Sequence, residues 1–199
     1  MRETRPRNVK EMLIEAKNTS ELMVDLSYAA IFYNSEDPSE DVFHLEERLN
    51  DLVFDMRTLT ILAARSPSDA EQMAGILQVV QDIEKIGNAA VDIAKIVVKR
   101  LGIPPELLHD IPEAEEIPSR VRIHADSALD GRSLGEVDLP VETGMSPIAI
   151  RSEDEWTFDP EPEDVLRAGD VLFLQGPPEG VAEVRELAGA RPLGHTPEP

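Results

Sequence analysis

Pairs of acids recur at helical spacing in the first half of the chain: Glu21 with Asp25, Glu47 with Asp51 and Asp55, and Glu84 with Asp92. A separation of four residues puts two carboxylates on one helix face, where neighbouring helices can converge on a hard or borderline cation. Glu21, Asp25, Asp51, Asp55, Glu84 and Asp92 are therefore candidate ligands for a divalent metal. A chain with 40 Asp and Glu among 199 residues also produces such pairs by chance on solvated faces, and both readings stay open. Glu84 interrupts an otherwise apolar stripe, where a carboxylate needs a partner; Gln81, Lys85 and Asn88 are near enough in sequence to supply one.

The second half offers chemistry of the opposite sign. Arg120, Arg122, Arg132 and Arg151 fall in an expected first strand, the loop after it and the end of the second strand. An anionic ligand needs such donors, with Arg122, Arg132 and Arg151 the candidate binding residues. The competing reading is that they neutralise Asp126, Asp130 and Glu153, as exposed ion pairs commonly do. Catalysis has little to stand on. His44, His109, His124 and His195 are scattered, no HExxH or nucleophile elbow occurs, and Gly131-Arg132-Ser133-Leu134-Gly135 lacks the third glycine and the βαβ setting of a dinucleotide fingerprint.

Net charge narrows the partners. Against 19 Lys and Arg the acids leave a formal charge of -21, a field that repels phosphate backbones and anionic lipid headgroups. Nucleic acid and direct membrane insertion are thus not expected. The absence of cysteine removes disulfides, thiol catalysis and thiolate metal sites. No stretch approaches 18 apolar residues, and Met1 to Pro6 lack the apolar core of a signal peptide, so the simplest address is the cytoplasm.

The elements that must position these residues change character midway. Val9, Ala16, Met23 and Ala30 on one row, with Met12, Leu26 and Tyr33 on the next, give a first helix broken only by Thr19 and ending near Asn34. Asp37-Pro38-Ser39-Glu40 reads as the start of a second helix, with the seam Val42, Leu45, Leu49, Leu52, Met56, Leu59 and Ala63. Ser66-Pro67-Ser68-Asp69 repeats the signal for a third, which carries two apolar stripes, one through Val80 and Val91 and one through Ile83, Ile86 and Ile93. Three helices bury one such stripe, so the second implies homodimerisation through the bundle. Gly102 to Pro105 should end that helix.

Beyond Ser119 the period becomes that of strands, at Val121–Ala125, Pro147–Arg151, Trp156–Phe158 and Val171–Gln175, with helical turns at Ser133–Val137 and Gly180–Leu187. The expected fold class is α+β in two domains, an antiparallel three-helix bundle followed by a small β-α-β-β-β-α unit. The expected boundaries are 1–105 for the bundle, 106–118 for an acidic proline-bearing linker, 119–190 for the second domain and 191–199 for a flexible tail.

Gly131-Arg132-Ser133-Leu134-Gly135-Glu136, Ser146 to Arg151 and Leu166-Arg167-Ala168-Gly169-Asp170-Val171-Leu172, in that order and spacing, resemble the C-terminal domain of the RCK/TrkA family of potassium-transport regulators. Gln81 to Ala90 and the acidic pairs resemble a PhoU-type three-helix unit, although Asn88 stands where the family pattern has Asp, and full family members carry two such units. The resemblance implies a ligand-sensing homodimer, peripheral to a membrane cation channel or transporter, that regulates potassium or, as a close variant, magnesium transport. It places the sensing site in the second domain, for a small ligand such as a nucleotide. A PhoU-type metal-binding regulator of phosphate transport and a ligand-free dimeric adaptor are the rival readings.

Overall fold

The computed structural model describes residues 8–33, 35–102 and 117–189. The chain divides into two compact units, residues 1–110 and 111–199. The first unit contains three helices, α1 (Val9–Tyr33), α2 (Glu36–Ala63) and α3 (Pro67–Val98), each packed against the other two. Their short connections make sequential neighbours antiparallel.

The rows expected on α1 are core through their middle, with Ala16, Met23 and Ala30 fully buried and Met12 and Leu26 nearly so, whereas Val9 is half-buried and Tyr33 exposed at the two ends. Thr19 does not break the seam. It is buried too, because its hydroxyl donates to the Glu15 carbonyl one turn back at 2.8 Å. Helix α2 starts earlier than the Asp37 cap implies, at Glu36 after Ser35, with no side-chain hydrogen bond at the cap. Pro38 thus sits inside the first turn rather than opening it, which is harmless because the N–H it lacks would have no helical partner there. The α2 seam is buried from Val42 to Met56 and Thr60, whereas Leu59 is exposed.

Helix α3 begins as its sequence signal requires. The Ser66 side chain accepts from Asp69 N at 3.1 Å, and Pro67 opens the first turn. The core draws on both of its apolar stripes: Val80, Val91 and Ala94 from one and Ile83 and Ala90 from the other are buried, together with Gly87. Val79 and Ile86 remain exposed and Ile93 half-buried. The helix ends at Val98, ahead of the expected Gly102–Pro105 stop, as Arg100 turns to a φ of 50°. The linker up to Glu116, with His109, and the tail with His195 lie outside the described residues.

The second unit comprises β1 (Ile117–Arg122), α4 (Leu134–Val137), α5 (Leu139–Thr143), β2 (Ser146–Ser152), β3 (Glu155–Phe158), β4 (Val171–Gly176) and α6 (Gly180–Leu187). The strands form one antiparallel sheet in the order β1-β4-β2-β3. Two expectations need correction. Strand β1 occupies Ile117–Arg122, not Val121–Ala125, and starts inside the expected linker; Pro118 is admitted because β1 is an edge strand with one unpaired side. A second short helix, α5, follows α4 across Asp138, which takes a φ of 46°.

Alternation along β4 divides the sheet into two faces. Leu172 and Leu174 join Val121, Ile150, Leu134, Val137, Leu139 and Val184 in the core, so α4, α5 and α6 cover that face. Val171 and Phe173 point to the other.

Candidate functional site

On that second face the strand register gathers three of the four arginines. Arg120 lies opposite Phe173 and Arg122 opposite Val171 across β1 and β4, while Arg151 of β2 lies opposite Val171 on one side and Trp156 of β3 on the other. Directly paired residues of antiparallel strands project the same way, so Arg120, Arg122, Arg151, Trp156 and Phe173 share one side of the sheet.

The ring geometry follows from this register. Trp156 stacks on Phe173 with centroids 5.0 Å apart and on Phe158 at 5.9 Å, and the Arg151 guanidinium lies 5.6 Å from the Trp156 centroid. A cation held over an aromatic face is within the range of cation–π attraction. Phe173 is fully buried and Trp156 and Phe158 are half-buried, so the ring surface left open beside the guanidinium belongs to Trp156 and Phe158. Arg122 is exposed, and among the described residues it makes no hydrogen bond or ion pair.

Arg132 belongs to a different setting. It donates to the Glu136 carbonyl at the end of the loop-to-helix turn, beside the reciprocal cap in which Glu136 N donates to Ser133 Oγ and Ser133 N to Glu136 Oε2. Asp130, expected to neutralise an arginine, instead accepts from Asp126 N at 3.1 Å and Ala168 N at 2.9 Å. Trp156, Phe158 and Phe173 are the members of this face that residue type alone does not single out. Their alternation opposite Ala149 to Ser152 is the signal that could have found them.

A pocket of about 390 Å³ opens on the helical side of this unit, lined by Ala128, Glu142, Thr143, Glu183, Glu186 and Leu187. Its three carboxylates and lack of basic side chains make it unsuited to an anion.

The acids of the bundle are spread rather than gathered. Glu21 is exposed and paired with Lys17 at 2.6 Å, Asp92 is exposed and paired with Lys95 at 3.2 Å, and Asp51, Asp55 and Glu47 are exposed. Glu84 accepts from Arg57 of α2 at 2.6 Å. Among the described residues no three Asp, Glu or His side chains come together as a metal site. Burial, and then the nearby Glu21, hold the pKa of Asp25 above the usual 3.8.

Comparison with known proteins gives each unit a counterpart. Residues 13–97 match the PhoU domain and residues 119–189 the TrkA-C domain. The protein named "Probable potassium channel protein 2" of Methanocaldococcus jannaschii is 34% identical over 65 residues, which is 33% of this chain and 19% of that protein, so the chain spans a small part of this relative. Among solved structures, the RCK_C domain dimer of S. agalactiae BusR in complex with c-di-AMP is 27% identical, covering 39% of this chain and 96% of that one, with a TM-score of 0.37. S. agalactiae BusR in complex with its busAB-promotor DNA is 16% identical, covering 94% of this chain and 98% of that one, also with a TM-score of 0.37. The expectation of no nucleic-acid partner rests on this chain's charge alone. No helix among the described residues is long and apolar enough to cross a membrane.

Proposed function

We propose that this chain, which joins a PhoU domain to a TrkA-C domain, is a non-enzymatic regulatory subunit of a cation transport system, with potassium the first candidate and magnesium a close variant. The TrkA-C match and the 65-residue likeness to a potassium channel protein support the cation. In this reading the second domain senses a small anionic ligand, a nucleotide or cyclic dinucleotide. The bundle transmits the change to a membrane channel or transporter, and the chain works as a homodimer at the cytoplasmic face.

The observation that supports the sensing role is the sheet face that Arg120, Arg122 and Arg151 share with Trp156 and Phe173, with Arg151 over the Trp156 ring. Guanidinium groups hold phosphate oxygens with directed hydrogen bonds, and the half-buried Trp156 ring, stacked on the fully buried Phe173, leaves part of one aromatic plane for a base to stack on. Calorimetric titration of the full chain with nucleotides, cyclic dinucleotides, potassium and magnesium tests it. c-di-AMP belongs in that panel, being the ligand of the BusR complex. Saturable heat from one anionic member is the expected result. Silence from every anion combined with saturable binding of a divalent cation would move the function to the PhoU-type reading, in which Glu21 and the half-buried Asp25 help hold a metal. Silence from all of them would leave the ligand-free adaptor.

A further inference from the structure

The far end of the α2–α3 hairpin is apolar, exposed and almost free of charge. Ile61 and Leu62 are 66% and 71% exposed, and Leu59 and Val79 are exposed beside them. Met73, Ile76 and Leu77 are only half-buried. From Thr58 to Gln81 the only charged residues are Arg65, Asp69 and Glu71, in a chain whose formal charge is -21. Two of those three sit at the turn, where Asp69 accepts from Arg65 N at 3.2 Å. No residue between Ile61 and Val79 is buried, so among the described residues this pair of helices receives no third element where the rest of the bundle has α1.

We infer that this hairpin end is where a second copy of the chain docks, hairpin against hairpin, completing a four-helix arrangement. Charge selects the occupant. A basic partner would be drawn to the acidic faces rather than to a neutral tip, and two copies of so acidic a chain can approach only through the region where their charge is lowest. Geometry agrees: an antiparallel helix pair with an open apolar side is self-complementary about a two-fold axis, and two such pairs make a bundle. Depletion of charge around exposed aliphatic side chains is also the composition of an interface core rather than of a solvated surface. The site differs from the one expected from α3 alone, because Ile83 and Ala90 of the second stripe are taken up by the chain's own core.

The chain has no cysteine, so a single introduced thiol reports its own surroundings. Leu62→Cys, oxidised in the full chain at micromolar concentration, should form a covalent dimer in high yield, while Glu47→Cys, an exposed position on the acidic part of α2, should not. Ile61→Glu with Leu62→Glu should weaken self-association in sedimentation by roughly 100-fold, because two buried apolar anchors would become charged. Both positions are exposed in the single chain, so the thermal midpoint at a dilution where wild type is monomeric should not fall. A wild type that sediments as a monomer throughout overturns the inference. So does a Leu62 thiol that crosslinks no better than the Glu47 control, which would place any dimer contact elsewhere, the second domain included. Neither result bears on ligand binding.

Discussion

Arg57 of α2 reaches Glu84 of α3, with Nη2 2.6 Å from Oε2, and so supplies the partner that a lone carboxylate on an apolar helix requires. Gln81, Lys85 and Asn88, the near neighbours in sequence, do not. The side chains are 41% and 27% exposed, so the pair belongs between a surface bridge and a buried one. A double-mutant cycle with Arg57→Met and Glu84→Gln should give a coupling of about 1 kcal/mol at low salt, reduced in concentrated salt. Zero coupling at low salt would show that the contact only decorates the surface.

Helix α3 meets α1 and α2 closely at Gly87, where a methyl group would overlap Leu49 Cδ2 and lie 3.5 Å from Met23 Cε. Leu49 and Met23 are themselves buried, so neither can simply swing away. Overpacking a closed core costs about 1–3 kcal/mol, against which alanine recovers about 1 kcal/mol of helix propensity. Gly87→Ala should therefore be destabilising in urea titration. Combined with Leu49→Ala its cost should shrink or change sign, since the truncated side chain leaves room for the methyl group. Equal costs in the two backgrounds would assign the glycine to something other than this contact.

Some of this was legible in the residues and some was not. Ser66-Pro67-Ser68-Asp69 marks the start of α3 because each residue does a local job there. Asp37-Pro38 marks the α2 start less sharply, since proline is tolerated anywhere in a first turn. The candidate site was half legible. Four arginines stand out by type in an acidic chain, yet which of them share a face depends on strand register, and the irregularity between Pro147 and Ala149 changes that register in a way no local pattern reveals. Arg132, close to the others in sequence, belongs instead to the α4 cap.

Asp25 gives the bundle a pH signature. Burial first and Glu21 second raise its pKa above 3.8, so the folded chain keeps a proton that the unfolded chain has already released. Stability from this group is present below pH 3.8 and is lost as pH rises through the folded pKa. Asp25→Asn should consequently melt above wild type at pH 7, with the difference closing as pH falls into the carboxylate range. If instead the variant melts lower at pH 7, and magnesium or manganese raises the wild-type midpoint alone, Asp25 is holding a cation.

The second unit should fold without the bundle. Its sheet, its three helices and a core running from Val121 to Ala188 are complete among residues 117–189. A fragment of residues 111–199 should unfold cooperatively on heating, with a near-native far-ultraviolet dichroism spectrum for its strands and helices. A fragment with no transition would show that the two units share a core.

The arginine face can be separated from the arginine cap by substitution. Arg122 and Arg151 project from the same side of the sheet as Trp156, whereas Arg132 is engaged by the Glu136 carbonyl. A hydrogen bond to a charged group contributes about 1.5–3 kcal/mol, so Arg122→Gln and Arg151→Gln should each weaken binding of the anionic ligand identified by calorimetry by roughly 10- to 100-fold. Arg132→Gln should leave that affinity near wild type and instead lower the thermal midpoint, since it frays α4. Arg151→Gln should also lose part of its effect in a Trp156→Leu background, where the guanidinium no longer has a ring to lie over. Should Arg122→Gln and Arg151→Gln bind as wild type does, with stability unchanged, the sheet face is not the sensing site. The pocket lined by Glu142, Glu183 and Glu186, whose charge disfavours an anion, then becomes the place to test for a cation.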